Sequence, residues 1–379
     1  MSSATPRDFQ LGKDDSFFAE WNRFWFRRAD PLPVCFMRLM AGMVIFYVFF
    51  NYSFGLHSYF GPDGWIDLES INNARHNMAY HSPTTKWEQS MSSQPVGRGW
   101  PVFSIFFHTS NRQEVLWAHV VILTATFCFA IGLGTRVCGF IAWAEAISYV
   151  QRSPVTFFGM DNILVVLLFY LMLAPCGATL SVDRWLRKWW ARRQGKPVPE
   201  VQPSMAANFV LRLLQLHFCF VYFAAGVSKL LGPAWWSGDA IWGTMVNYSF
   251  SPMNWPIYNG FVRAVAKYKA VYATLMILGA YGTIALEISF PFLIWQRRFR
   301  PWMICGSLLM HTGIGLVMGL STFSLIMMCF VLCYFPPEAF HWFLDKLAHL
   351  WAKIRQFVRP QIQLSRSEQK KPDEVLVPQ

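Results

Sequence analysis

Long apolar runs separated by short polar or basic connections repeat along this chain, and most approach the roughly 20 residues that a helix needs to cross a bilayer. They predict spans at about 34–54, 115–132, 137–150, 163–176, 206–227, 271–294, 302–317 and 320–335. The fold class is therefore all-α: a polytopic membrane protein of about eight transmembrane helices. A long connection at 55–114 follows the first span. It contains the turn Gly61-Pro62-Asp63-Gly64, a short helical candidate at 66–73 and an aromatic patch at 100–107.

The flanks divide the chain further. Residues 1–30 end in Phe17, Phe18, Trp21, Phe24, Trp25, Arg27 and Arg28, a composition expected of an interfacial segment. Residues 31–336 form the transmembrane domain, 337–358 read as an amphipathic interfacial helix, and 359–379 read as a disordered tail. The first thirty residues lack an apolar core followed by a small-residue cleavage site, so no removed signal peptide is expected.

Composition agrees with the membrane reading, being 54% hydrophobic and only 14% charged. The formal charge of +12 suggests nucleic acid until its residues are located in the loops and tails. There they report topology, and no nucleic-acid partner is expected. An eight-span chain with both termini cytoplasmic puts Arg136, the cluster at 184–196, and Arg297, Arg298 and Arg300 together on the cytoplasmic side. This is the arrangement of a protein of the bacterial inner membrane. No Cys-x-x-Cys pair occurs among the eight cysteines, and His57, His76, His81 and His108 lack metal-ligand spacing and read as surface residues.

Charged groups in hydrocarbon cost at least a few kcal/mol, so those within spans must face the bundle interior or find partners. They are Glu145, His217, Glu287 and His311, with Arg38 and Lys229 near helix ends. Arg38 is expected to snorkel to the nearby leaflet, with inward pairing as the alternative. Glu145 falls in the same half of the membrane as Lys229, which allows those two to pair. Glu145 and Glu287 also read as hydrogen-bonded links between helices, and His311 as a packed neutral histidine.

The stretch from Tyr222 to Trp242 holds Lys229, a Gly232-Pro233 break and the pair Trp235-Trp236. In one reading Lys229 snorkels to the headgroups and the tryptophans join the aromatic belt. In the other the lysine turns inward, where Ala225 and Gly226 one turn earlier allow close approach of a helix or a flat ligand. A desolvated lysine loses its charge readily and can then act as a base. No nucleophile elbow, phosphate loop, dinucleotide fingerprint or His-Glu-x-x-His motif is present.

Several stretches, in order, carry a family resemblance: Asp30-Pro31 ahead of Phe36-Met37-Arg38; Leu133-Gly134-Thr135-Arg136; Arg152-Ser153-Pro154 leading to Phe158-Gly159; Ser181-Val182-Asp183; Tyr222 to Leu230; and Met310-His311-Thr312 followed by Gly319 and Phe323-Ser324. The chain resembles the membrane core of vitamin K-dependent gamma-carboxylases and the horizontally transferred transmembrane domain (HTTM) proteins. The stretch containing Lys229 looks like the carboxylase motif with its catalytic lysine, which is taken to deprotonate the vitamin hydroquinone. The resemblance thus implies an outward-facing pocket for a quinone or hydroquinone, with Lys229 as base, His311 as a second catalytic residue, and Glu145, Tyr222, Trp235 and Trp236 lining it. The 55–114 connection would help exclude water. A quinone-dependent carboxylase- or oxygenase-like (lyase) activity would follow.

Ser228 stands where the carboxylases have a further lysine, and Ser153 or Pro154 where they have a histidine. A large lumenal substrate-recognition domain is also not expected in the residues after the last span. The alternative function is accordingly non-enzymatic: a membrane protein that assists maturation or export of a secreted peptide, holding a peptide or protein partner.

Overall fold

A proline-rich corner starts the first apolar helix. In the computed structural model, which describes residues 17–77 and 103–368 except positions 155, 157, 250 and 253, Asp30 Oδ1 accepts the Leu32 N–H at 2.8 Å. Pro31 and Pro33 supply the fixed φ of a first helical turn. Helix α1 (Phe17–Phe26) precedes this corner and α2 (Leu32–Tyr52) follows it. The long connection holds α3 (Leu56–Phe60) and α4 (Leu68–Asn77). His81, the middle of that connection, the polar N-terminal stretch before Phe17 and the tail from 369 lie outside the described residues, as does the side chain of His76.

Three helices follow: α5 (Arg112–Ile131), α6 (Thr135–Arg152) and α7 (Gly159–Leu173). Asn111 caps α5 by accepting the Glu114 N–H at 2.9 Å, and Gly132, with φ of 80°, ends it in the left-handed conformation. The basic helix α8 (Val182–Arg193) leads to α9 (Met205–Leu230). Short helices α10 (Pro233–Ser237), α11 (Asp239–Met245) and α12 (Pro256–Lys267) come before α13 (Lys269–Leu293), α14 (Arg300–Val317) and α15 (Ser321–Val331). From Phe335 onward a separate unit contains α16 (Pro337–Glu368), which extends past the helix end expected at 358.

Among the described residues there is no strand beyond an isolated bridge between Ala29 and Ser204. Four helical stretches are long and apolar enough to cross a membrane: Leu32–Phe60, Arg112–Ile131, Met205–Leu230 and Lys269–Leu293. A fifth is added if Ser321–Tyr334 and Pro337–Gln356 are taken together. The other expected spans are also helical, but α7 has only 15 residues and α6 carries Arg136, Glu145 and Arg152.

Helices α2, α5, α6 and α7 pack as one group and α9, α13, α14 and α15 as another, with α15 against α2 and α7 joining them. Small residues set the closest crossings. A Cβ on Gly42 would lie 2.7 Å from Ala130 Cα, so α2 and α5 meet backbone to backbone there.

Arg38 does not snorkel. It is fully buried, and its guanidinium donates to the carbonyls of Phe129 at 2.8 Å, Ala130 at 2.7 Å and Leu180 at 2.5 Å. The end of α5 leaves carbonyls without helical partners, and a planar donor with several N–H groups satisfies them better than water at a buried turn. Close by, Asp183 accepts the N–H groups of Gly134 at 2.8 Å and Thr135 at 3.1 Å, with the Thr135 hydroxyl at 2.9 Å. At the other end of α6, buried Arg152 donates to the carbonyls of Gly61 and Ile66 and so fixes the start of the long connection.

Candidate functional site

On α9, Tyr222, Gly226 and Lys229 are spaced four and three residues apart, which puts them on one face. That face meets α13. A Cβ on Gly226 would come within 2.7 Å of Ile288 Cγ1 and 3.1 Å of Glu287 Cβ. The space that the sequence offers to a helix or a flat ligand at Gly226 is thus taken by α13. This close approach delivers Glu287 to the lysine. Pro291 lies one turn further along and has no N–H to return to the Glu287 carbonyl, which loosens the helix there.

Lys229 Nζ lies 2.9 Å from Glu287 Oε1 and 2.8 Å from Oε2. Only the Oε1 contact has hydrogen-bond geometry, so the second oxygen takes part through charge alone. The side chains are 19% and 7% exposed, so neither charge is well hydrated and each depends on the other. The Trp235 ring centre is 5.1 Å from Nζ, a cation–π distance. Trp236 is exposed and donates its Nε1–H to the Leu230 carbonyl at 2.8 Å, tying α10 to the end of α9.

Deeper in the bundle, the Tyr222 hydroxyl lies 2.5 Å from Ser307 Oγ and 2.9 Å from His311 Nε2. Ser307 and His311 occupy one face of α14 at a spacing of four, and all three residues are buried. His311 Nδ1 has no partner among the described residues. The site therefore has two layers: an ion pair next to an indole, and below it a hydroxyl–hydroxyl–imidazole chain running from Ser307 through Tyr222 to His311.

Glu145 is elsewhere, and its proposed pairing with Lys229 is not formed. It lies on α6, which packs on α5 and α7, whereas the lysine faces α13. Its Oε2 is buried without a partner among the described residues. Equal depth in a membrane does not make two helices neighbours. Sequence reasoning also missed Ser307 and left Glu287 unassigned to the lysine, although the Ser307–His311 and Glu287–Pro291 spacings mark both places. The described parts of the long connection pack on α5 and α6.

A cavity of about 580 Å³ lies at the other end of the bundle, between the start of α6, the turn after α7 and α8. Among the described residues no group of three His, Cys, Asp or Glu side chains is placed to hold a metal ion.

Apolar helices of membrane-spanning length, with an ion pair and a buried polar chain inside, define a helical membrane protein. The chain is similar to an uncharacterized protein of Bacillus subtilis, YitO, with 26% identity over 242 residues, covering 62% of this chain and 72% of that protein. No family model matches the chain, and no solved structure matches it.

Proposed function

We propose that this protein is an integral membrane protein with a gamma-carboxylase-like membrane fold, which binds a quinone or hydroquinone beside Lys229 and removes a proton from it. The observation that carries the reading is the Lys229–Glu287 pair, 2.8 Å apart and largely shielded from water. In the proposed step the lysine's proton passes to the carboxylate beside it, an exchange within the pair that leaves its net charge unchanged. The neutral amine is then a base, and Glu287 is the place where its proton is held.

Donor and acceptor chemistry on this chain suits a ring bearing two oxygens. Lys229 and Glu287 would hold one of them, and the unpartnered Nδ1 of His311 offers a second polar contact. Trp235 supplies an aromatic face at the lysine. When bound, a hydroquinone would supply an acidic O–H and two-electron redox chemistry. The Tyr222 hydroxyl, itself held by Ser307, meets His311 Nε2 and so fixes the ring orientation of the imidazole.

The proposal includes eight spans in a bacterial inner membrane with both termini cytoplasmic. Supporting it, Asp183 bonds to Gly134 and Thr135, and Ala29 pairs with Ser204, so several basic connections gather at one end of the bundle.

The test is to purify the protein in mild detergent and search for a bound isoprenoid quinone by mass spectrometry. The expected result is a stoichiometric quinone that Lys229→Met retains without turning over. If none co-purifies and none binds when added, the reading is overturned and a peptide or protein partner takes its place.

A further inference from the structure

The cavity at the end opposite Lys229 has a distinctive lining. Arg136 stands in the first turn of α6 and Arg187 on α8, with Val137, Pro175 and Leu186 as apolar wall between them. Arg187 is held in place: its Nε–H reaches the Asp183 carbonyl at 3.2 Å and an Nη group donates to the Gly177 carbonyl. Arg136 is exposed, and among the described residues no acceptor meets its guanidinium. Asp183 is the acidic group in the lining, and both of its oxygens already accept hydrogen bonds from Gly134 and Thr135. The cavity therefore offers cationic groups to an incoming anion while its carboxylate is occupied.

Helix α8 determines which anion arrives. Its twelve residues hold five basic side chains against one acidic one, and Trp185, Trp189 and Trp190 are 61%, 41% and 56% exposed. Arg193 lies over the Trp189 ring at 5.1 Å. Exposed indoles beside arginines are the composition of a helix seated at the headgroup level of a bilayer, where both the ring and the charge are satisfied. A cavity flanked by such a helix opens among lipid phosphates, and the charge of the cytoplasmic leaflet is negative.

We propose that this cavity binds the phosphate of an anionic phospholipid between Arg136 and Arg187, with the glycerol and upper acyl chain against Val137, Pro175 and Leu186. The apolar wall is what favours a lipid over free phosphate, which needs polar groups on every side. Arg187 gives a fixed donor, and Arg136 one whose N–H groups meet no acceptor among the described residues. This site is independent of the chemistry at Lys229.

The experiment is native mass spectrometry of the full chain released from phosphatidylcholine nanodiscs containing a minor share of phosphatidylglycerol. Wild type is expected to retain phosphatidylglycerol selectively, and Arg136→Gln to lower its retention about five-fold, the scale of one basic residue near an anionic lipid surface. Because the exposed Arg136 guanidinium meets no acceptor among the described residues, its variant should melt as the wild type does. Lys188→Gln, on the same helix but not lining the cavity, should change retention little. Equal loss from Lys188→Gln, unchanged retention in Arg136→Gln, or displacement of the lipid by inorganic phosphate would each overturn the proposal.

Discussion

Lys229 and Glu287 are joined across 58 residues of sequence by one hydrogen bond, Nζ to Oε1 at 2.9 Å, at the place where Gly226 lets α9 and α13 touch. Each side chain answers a problem that the other creates. A lysine at 19% exposure and a carboxylate at 7% are both costly alone, and the pair is tolerable because the charges meet.

Removing one partner should therefore cost more than removing both. Lys229→Met and Glu287→Gln are each expected to destabilise by about 3 kcal/mol, the low end for a buried pair because the lysine keeps some solvent contact. The double variant Lys229→Met with Glu287→Gln should lose less than either single variant, and so less than their sum. Thermal unfolding of the four proteins in one detergent checks this, and strictly additive losses would remove the coupling.

Gly226 is expected to tolerate no larger side chain. A Cβ there would meet Ile288 Cγ1 at 2.7 Å, on a face where α13 backbone is also near. Gly226→Val should cost about 2 kcal/mol by overpacking. Gly243, which has open space around a new Cβ, provides the comparison, since Gly243→Ala should be nearly neutral.

The Tyr222 hydroxyl serves two buried partners, Ser307 and His311. Tyr222→Phe should cost about 1–3 kcal/mol, the range for a buried polar group left without its partner. Adding Ser307→Ala to that variant should recover part of the loss. If Tyr222→Phe melts with wild type, the chain of hydrogen bonds contributes nothing to stability.

Asp183 gives a pH dependence outside the spans. Burial raises its pKa, but hydrogen bonds from Thr135 and Gly134, together with the Arg187 charge, outweigh that and hold the carboxyl below the ordinary carboxylate range. A depressed native pKa gives stability that is complete above the unfolded value of about 4 and is lost as pH falls through the native value. Asp183→Asn should lower the melting temperature at neutral pH and flatten its acidic decline. Parallel pH–melting curves for the two proteins would contradict this.

Topology has its own check. Under the proposed eight-span arrangement, a reporter fused after Ser110 should be extracytoplasmic and one inserted at Gly195, just past α8, cytoplasmic. A cytoplasmic reporter at Ser110 would end the eight-span reading and the outward-facing site with it.

The sequence by itself determined the all-helical class, the positions of the long apolar helices and the set of ionisable residues inside them. These are local properties: an apolar run either is or is not long enough to span, and a charge within it stands out. It also placed Gly226 one turn before Lys229, because helical spacing is fixed by the backbone. Which faces meet was decided by tertiary structure. Glu287 rather than Glu145 reaches the lysine, since Gly226 admits α13 there. Arg38 turns inward because the end of α5 and the Leu180 carbonyl converge on it, an arrangement invisible from its position near a helix start. Ser307 joins His311 through a tyrosine 85 residues earlier in the chain. Depth and periodicity follow from composition along one helix, whereas neighbour choice follows from the packing of small residues between helices far apart in sequence.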